Sequence, residues 1–286
     1  MFGKTRQAYY KNRKTTFKES VVEDLMITLV MKIREKQKRI GGRKLLSMIS
    51  PLIPEGEEMG RDAFFDLLRR NGMLVRKRRV RAYTTNSFHW LHKYPNLIKE
   101  LVPQRAHQLW VSDITYIKTT VGFVYLYLIT DAYSRKIVGW HLSETMEAQN
   151  ALEALYMALS QLPADAKEII HHSDRGIQYC STKYVNCLQK HGVKISMTEH
   201  SDPYENAIAE RVNGILKTEW LYDMTLKNYA EANDAINEIV DIYNTQRPHC
   251  SIDMLTPDQA HQATGVLKRL WKTYKRRKLN EVLEEI

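Results

Sequence analysis

Asp113 interrupts a stretch otherwise fit for burial, Trp110-Val111-Ser112-Asp113-Ile114-Thr115-Tyr116. A carboxylate inside such a strand costs free energy unless something compensates its charge. Asp174 follows a second short segment, in His171-His172-Ser173-Asp174-Arg175-Gly176, and Glu210 lies within Glu205-Asn206-Ala207-Ile208-Ala209-Glu210-Arg211-Val212-Asn213. Taken singly, each is most simply a solvated acid: a turn cap, a loop residue and a helix residue facing water. If the two strands are neighbours and the helix packs over them, the three carboxylates form one oxygen-rich cluster. Hard divalent cations, Mg²⁺ or Mn²⁺, want such ligands, and Mg²⁺ takes only one or two carboxylates beside water and phosphate. Three carboxylates then suit two ions per site about 4 Å apart, one activating an attacking oxygen and one stabilising a leaving oxygen.

The elements that must position these groups are legible from periodicity. Leu109–Thr119, Phe123–Asp131 and Lys136–Leu142 are rich in Val, Ile, Tyr and Thr and are separated by Val121-Gly122 and Tyr133-Ser134-Arg135, which predicts a three-stranded meander. Glu147–Leu162 reads as an amphipathic helix, Glu168–His171 as a strand, Thr182–His191 as a helix and Val193–Met197 as a strand. Glu205–Trp220 and Tyr229–Asn244 read as helices. A meander followed by alternating elements implies an α/β fold, a mixed sheet with helices on both faces. Trp110 and Trp140 fall in strands and read as core aromatics.

Upstream the texture is helical. Val22, Leu25, Met26, Leu29, Val30 and Ile33 form a stripe from Glu19 to Glu35, and Gly41-Gly42 breaks the chain before a short helix at Arg43–Ile49. A third helix spans Arg61–Asn71, with Gly72 as its stop. Short helices with tight breaks and basic edges suit a small all-α, helix-turn-helix-like unit.

Charge divides the same way. Residues 1–82 hold 21 Lys and Arg against 9 Asp and Glu, whereas residues 83–264 hold 15 against 21 and the tail 265–286 holds 7 against 3. A basic head and tail around a mildly acidic body predict contact with a polyanion, through salt-dependent phosphate neutralisation. The run Arg76, Lys77, Arg78, Arg79 and Arg81 reads as a phosphate-binding arm, and Lys275–Lys278 as either a further contact or an exposed helix end. Arg175, Gln178 and Tyr179 follow Asp174 and are candidate phosphate or base contacts, or else stabilise its turn. His171 and His172 are expected to orient that loop or touch the polyanion, with proton transfer or metal ligation as alternatives. The three cysteines form no Cys-x-x-Cys pair, so no disulfide framework is expected. No apolar run approaches the roughly 18 residues of a membrane span.

Four ordered blocks carry a resemblance. They are Trp110–Ile114, His172–Tyr179, Glu205–Asn213 and Tyr243-Asn244-Thr245-Gln246-Arg247-Pro248-His249, the last followed by Thr256-Pro257. Asp174 and Glu210 are separated by 35 residues, and Lys217 lies seven after Glu210. In these features the chain resembles the DDE transposases of bacterial insertion sequences, the group nearest to retroviral integrases. Gly42–Leu45 and Leu67–Met73 resemble the helical segment ahead of that family's catalytic domain.

The resemblance implies a ribonuclease-H-like catalytic core at 104–264, joined by a linker at 83–103 to a basic helical DNA-binding region at 1–82 and followed by a basic helix at 265–286. It implies metal-dependent DNA strand cleavage and strand transfer, with Asp113, Asp174 and Glu210 as catalytic and metal residues and Asp113 bridging both ions. Asn213 and Lys217, on the helical face of Glu210, would meet DNA. Partners implied are element ends and target DNA, further copies of the chain, and an upstream-frame product supplied separately or as a fusion. Such a protein would work in the bacterial cytoplasm, at the nucleoid. A nuclease of the same fold and a DNA-binding regulator derived from a transposase are the alternatives.

Overall fold

The computed structural model describes residues 6–76, 78, 90–164, 166–199 and 206–270, with backbone only for 6–19. Three helices come first: α1 (Arg6–Lys36), α2 (Gly42–Ile49) and α3 (Arg61–Arg70). The predicted stripe buries Met26 and Val30 of α1 against Leu45 and Ile49 of α2 and Phe64, Leu67 and Leu68 of α3. Helix α1 begins well before the expected Glu19, because no glycine or proline interrupts residues 6–36.

Five strands form one sheet in the order β3-β2-β1-β4-β5. They are β1 (Leu109–Thr119), β2 (Gly122–Asp131), β3 (Ile137–Ser143), β4 (Ile170–Ser173) and β5 (Lys194–Met197). The meander β1-β2-β3 is antiparallel, whereas β4 runs parallel to both β1 and β5. Parallel neighbours need crossovers, which α4 (Ala148–Ser160), a one-turn α5 (Ile177–Cys180) and α6 (Thr182–Lys190) supply. Helices α7 (Ala207–Glu219), α8 (Tyr229–Thr245) and a short α9 (Pro257–His261) follow among the described residues.

Strand alternation sorts the two faces. Tyr127 and Ile129 of β2 point to a core shared with α4 and α6. Leu126 and Leu128 point to a second core with α7 and α8. The mixed sheet covered on both faces is as expected. On one face α4 lies so close that a Cβ on Gly139 would stand 2.2 Å from the Ala154 carbonyl oxygen, so only glycine fits there. On the other, Asn244 of α8 grips β3 by accepting from the Ile137 amide (2.9 Å) and donating to its carbonyl (3.0 Å).

One strand differs from expectation in a way that matters. The fourth was expected at Glu168–His171; it is Ile170–Ser173. Glu168 takes a left-handed φ of 56°, which keeps it out of the sheet. His172 and Ser173 fall beyond the strand expected from sequence, yet they and His171 are all buried. Hydrogen bonds across the sheet make that tolerable: His171 Nε2 meets Ser112 Oγ at 2.6 Å and the Tyr184 hydroxyl at 2.9 Å, and His172 Nδ1 meets Ser196 Oγ at 2.8 Å.

Candidate active site

The shift of β4 places Asp174 one residue beyond a paired strand end. The parallel pairing of β1 with β4 runs from Leu109↔Ile170 to Ser112↔Ser173. Asp113 and Asp174 are therefore the next residues on two adjacent strands, whose spacing is about 5 Å. Gly176 shapes the turn that follows: its amide donates to Asp174 Oδ1 at 3.0 Å. A Cβ there would meet that same oxygen at 3.0 Å and Gln178 Oε1 at 3.2 Å, so a larger residue would push the carboxylate aside.

Helix α7 lies along β1 and is pinned at three heights. Asn206, its N-cap, donates to the Ser112 carbonyl oxygen at 3.0 Å. About two turns on, Asn213 Nδ2 donates to Asp113 Oδ2 at 2.8 Å, and Lys217 Nζ stands 4.3 Å from the centre of the Tyr116 ring. Glu210 projects between the first two contacts and is exposed.

Electrostatics shows that the three carboxylates feel one another. Burial first, then the charges of Asp174 and Glu210, push Asp113 up to about 7 against the hydrogen bonds from Asn213 and the Ile114 amide. Burial and Asp174 likewise raise Glu210. Lys217 is lowered by burial and partly restored by Asp113. Asp113 and Glu210 thus lie in the field of neighbouring negative charge, with Asp174 acting on both. Among the described residues, no three His, Cys, Asp or Glu side chains close around one point able to hold an ion.

Several expected contacts have other roles. Gln178 is buried and donates to the Met146 carbonyl oxygen at 3.2 Å; Tyr179 is buried against His171 and Tyr184. Both side chains thus make their contacts inside the protein rather than on its surface. His171 and His172 lie inside the sheet rather than on that loop, and burial holds His171 down at about 3, so it stays neutral. Arg175 is half-buried beside Asp174. In the basic run, Arg76 is exposed, and Arg78 is paired with Asp223 and lies over the Tyr222 ring rather than projecting as a free arm. Lys77, Arg79 and Arg81 lie outside the described residues, as does Lys275–Lys278.

A second cluster was not singled out by its chemistry in sequence. Glu219, at the far end of α7, accepts from Arg247 Nε at 2.8 Å and Nη2 at 2.6 Å, and pairs with Lys44 of α2 at 3.3 Å. Arg247 Nη1 also meets His249 Nε2 at 2.7 Å. Nearby, Trp220 Nε1 donates to the Lys36 carbonyl oxygen at 2.8 Å. The block Tyr243–His249 is thus a clamp joining α8, α7 and the head. Its sequence signal was an arginine and a histidine flanking a proline at the end of an amphipathic helix.

Comparison with known proteins places the chain in a family. Residues 103–203 and 191–257 match two family models, each described as an integrase core domain. The chain is 34% identical over 262 residues to the 31 kDa protein of insertion element IS600 of Shigella sonnei, covering 90% of this chain and 94% of that one. It is 34% identical over 230 residues to the transposase for insertion sequence element IS629 of Shigella sonnei, covering 80% of this chain and 76% of that one. The chain belongs to the insertion-sequence transposases with an integrase core. A simian T-cell lymphotropic virus intasome structure matches with a TM-score of 0.50 at 16% identity, covering 85% of this chain and 80% of that one, a likeness of fold. The transposase core is ribonuclease-H-like, preceded by a helical region, and the enzyme is of the polynucleotidyl transferase type. No helix among its described residues is long and apolar enough to cross a membrane.

Proposed function

We propose that this transposase uses Asp113, Asp174 and Glu210 as ligands of two divalent ions, Mg²⁺ or Mn²⁺, to cut DNA at an element end and join it to a target. The observation that carries the reading is that carboxylates brought from β1, the end of β4 and α7 act on one another, so that Asp113 and Glu210 are both raised by the charge of Asp174 as well as by burial. The donor set, three carboxylate side chains, is of the oxygen type that hard cations take, and Asp113, Asp174 and Glu210 are the residues that would hold them. When bound, the ions supply Lewis acidity toward the attacking and leaving oxygens.

The chain's own residues do the positioning. Asn213 holds Asp113 Oδ2, and Gly176 orients Asp174 through its amide. Lys217, close enough to Asp113 to feel its charge, offers a point charge to a phosphate beside the scissile bond. In the first step a water oxygen bonds to phosphorus as the bond to the 3′-oxygen breaks, and that oxygen leaves with a proton as a 3′-hydroxyl. In the second, this hydroxyl attacks a target phosphodiester and displaces another 3′-oxygen. Both are in-line displacements between oxygens, so no covalent protein intermediate is required. The basic head would carry much of the DNA affinity. An element has two ends to be cut and joined together, which favours a homo-oligomer on DNA, with an upstream-frame product contributing to end recognition.

The test compares Asp113→Asn, Asp174→Asn and Glu210→Gln with the parent chain on an end-containing duplex. Each is expected to slow Mg²⁺-dependent cleavage by about a thousandfold or more while salt-sensitive DNA binding persists. Near-normal cleavage by any one variant would remove that residue from the site. Capture of a labelled 3′-end into target DNA separates joining from simple hydrolysis.

A further inference from the structure

A cavity of about 550 Å³ lies where the head meets the core, between α2, α7 and the segment that follows α8. Arg43 and Lys44 line it from α2, Arg211 from α7, Arg135 from the turn between β2 and β3, and Arg247 from just beyond α8. It is not the carboxylate site. At about 100° per residue, Ile208, Arg211 and Ile215 of α7 point to the side opposite Glu210, Asn213 and Lys217.

The clamp satisfies Glu219 but leaves the cations around it in excess. Among the described residues, Glu219 is the carboxylate these side chains pair with, through Lys44 and Arg247. Arg43 and Arg211 are exposed and, among those residues, paired with no carboxylate. Arg135 donates instead to the Ala132 carbonyl oxygen and, at 3.4 Å, to Ser251 Oγ. It does so from a backbone φ of 66°, uncommon for a residue other than glycine. The positive fields converge: after burial, Arg247, Lys44, Arg135 and Arg211 hold the buried His249 imidazole well below its ordinary range. Gathering like charges in a recess costs free energy unless an anion offsets it.

Shape and lining narrow the occupant. The volume is that of a small-molecule site. Two of the cations are recessed, Arg247 at 1% exposed and Lys44 with 15% of its side chain exposed, and the convex backbone of a rigid duplex does not follow them inward. Ile208 and Ile215 supply an apolar wall. Guanidinium groups grip phosphate oxygens through paired N–H donors, and an apolar wall suits the organic part of the same ligand. We propose that this cavity binds a small, multiply charged organic phosphate of the size of a nucleoside di- or triphosphate, with Arg43, Arg135 and Arg211 on its phosphates and Ile208 and Ile215 against its organic part. Bound there, it bridges α2 and α7 and tightens the join between head and core.

The probe is ATP in excess chelator at fixed ionic strength, so that no metal carries it to the carboxylates. By isothermal titration calorimetry the full chain is expected to bind ATP with a Kd below about 1 mM, and saturating ATP should raise its melting temperature. Arg43→Gln and Arg211→Gln should each weaken binding by about tenfold or more. Both arginines are exposed, and melting without ATP checks that the variants fold. Lys190→Gln removes an exposed cation from α6, on the other face of the sheet, and should bind ATP as the parent does. Affinity for a short DNA duplex, read by fluorescence anisotropy, should change by less than about threefold in either arginine variant. No ATP binding by the parent, parent-like binding in both arginine variants, or an equal loss in Lys190→Gln overturns the proposal. So does a loss of duplex affinity that matches the loss of ATP, which would give the cavity to the DNA backbone. Each result leaves cleavage at the carboxylates to be judged by the Asp113, Asp174 and Glu210 variants.

Discussion

Glu210 and Glu219 sit at opposite ends of α7 and meet opposite electrostatic fates. Burial would raise Glu219 too, but Arg247 and Lys44 more than offset it and hold its carboxyl below the usual range. At the other end Glu210 and Asp113 are raised, because burial is joined by the charge of further carboxylates. One cluster is complete within the chain and ties the head and α8 to the helix. The other gathers carboxylates whose charges oppose one another. Under the proposed function, internal compensation distinguishes the structural carboxylate from those that would hold cations.

The comparison breaks first, and hardest, at Arg247. Arg247→Met leaves Glu219 buried with only Lys44, which is expected to cost about 3–5 kcal/mol in urea unfolding. A loss under about 1 kcal/mol would rank the clamp with ordinary surface pairs and end the distinction between the two poles. At the other pole a divalent cation should stabilise the fold. Mg²⁺ at a hundred times its Kd is expected to add about 2.7 kcal/mol, and Asp113→Asn should abolish most of that gain in a melting assay. An equal gain in parent and variant would place the ion elsewhere.

The next effect has the opposite sign to that of Arg247. In metal-free protein Asp113 takes its proton at about 7, against the ordinary carboxyl value of 3.8. Its contribution to stability is therefore full below about 4 and lost as pH rises through about 7. Asp113→Asn imitates the neutral acid at the loss of one accepted hydrogen bond. In chelator it should melt higher than the parent at pH 8, by about 2 kcal/mol, and much like it at pH 4. A variant that melts lower at pH 8 would show that the carboxylate is compensated after all.

Lys217, between the poles, should matter least to folding. Lys217→Ala is expected to shift stability by less than about 1 kcal/mol, since it loses one cation–π contact but gains helix propensity. Single-turnover cleavage and joining should nonetheless fall by about tenfold or more, with partial activity in Lys217→Arg. Parent-like rates in the alanine variant would leave Lys217 as packing for Tyr116.

How much of this was legible in the sequence depends on the range of the physics involved. The bounds of β1, the alternation of β2, the stripe of α1 and the turn at Tyr133–Arg135 follow from neighbours a few residues apart, and sequence determined them. It also singled out the carboxylates proposed to act together, because Asp113 breaks an otherwise buried strand and Asp174 and Glu210 stand at the 35-residue spacing on which the resemblance rests. Only the tertiary structure decided where β4 runs. His171, His172 and Ser173 are polar residues whose burial depends on Ser112 and Ser196, partners on other strands. It alone turned Gln178 and Tyr179 inward, and it alone brought Lys44, Glu219 and Arg247 together across α2, α7 and the end of α8. Hydrogen bonds and ion pairs between residues far apart in the chain leave no local period to read. Their free energy exists only once the fold has closed around them.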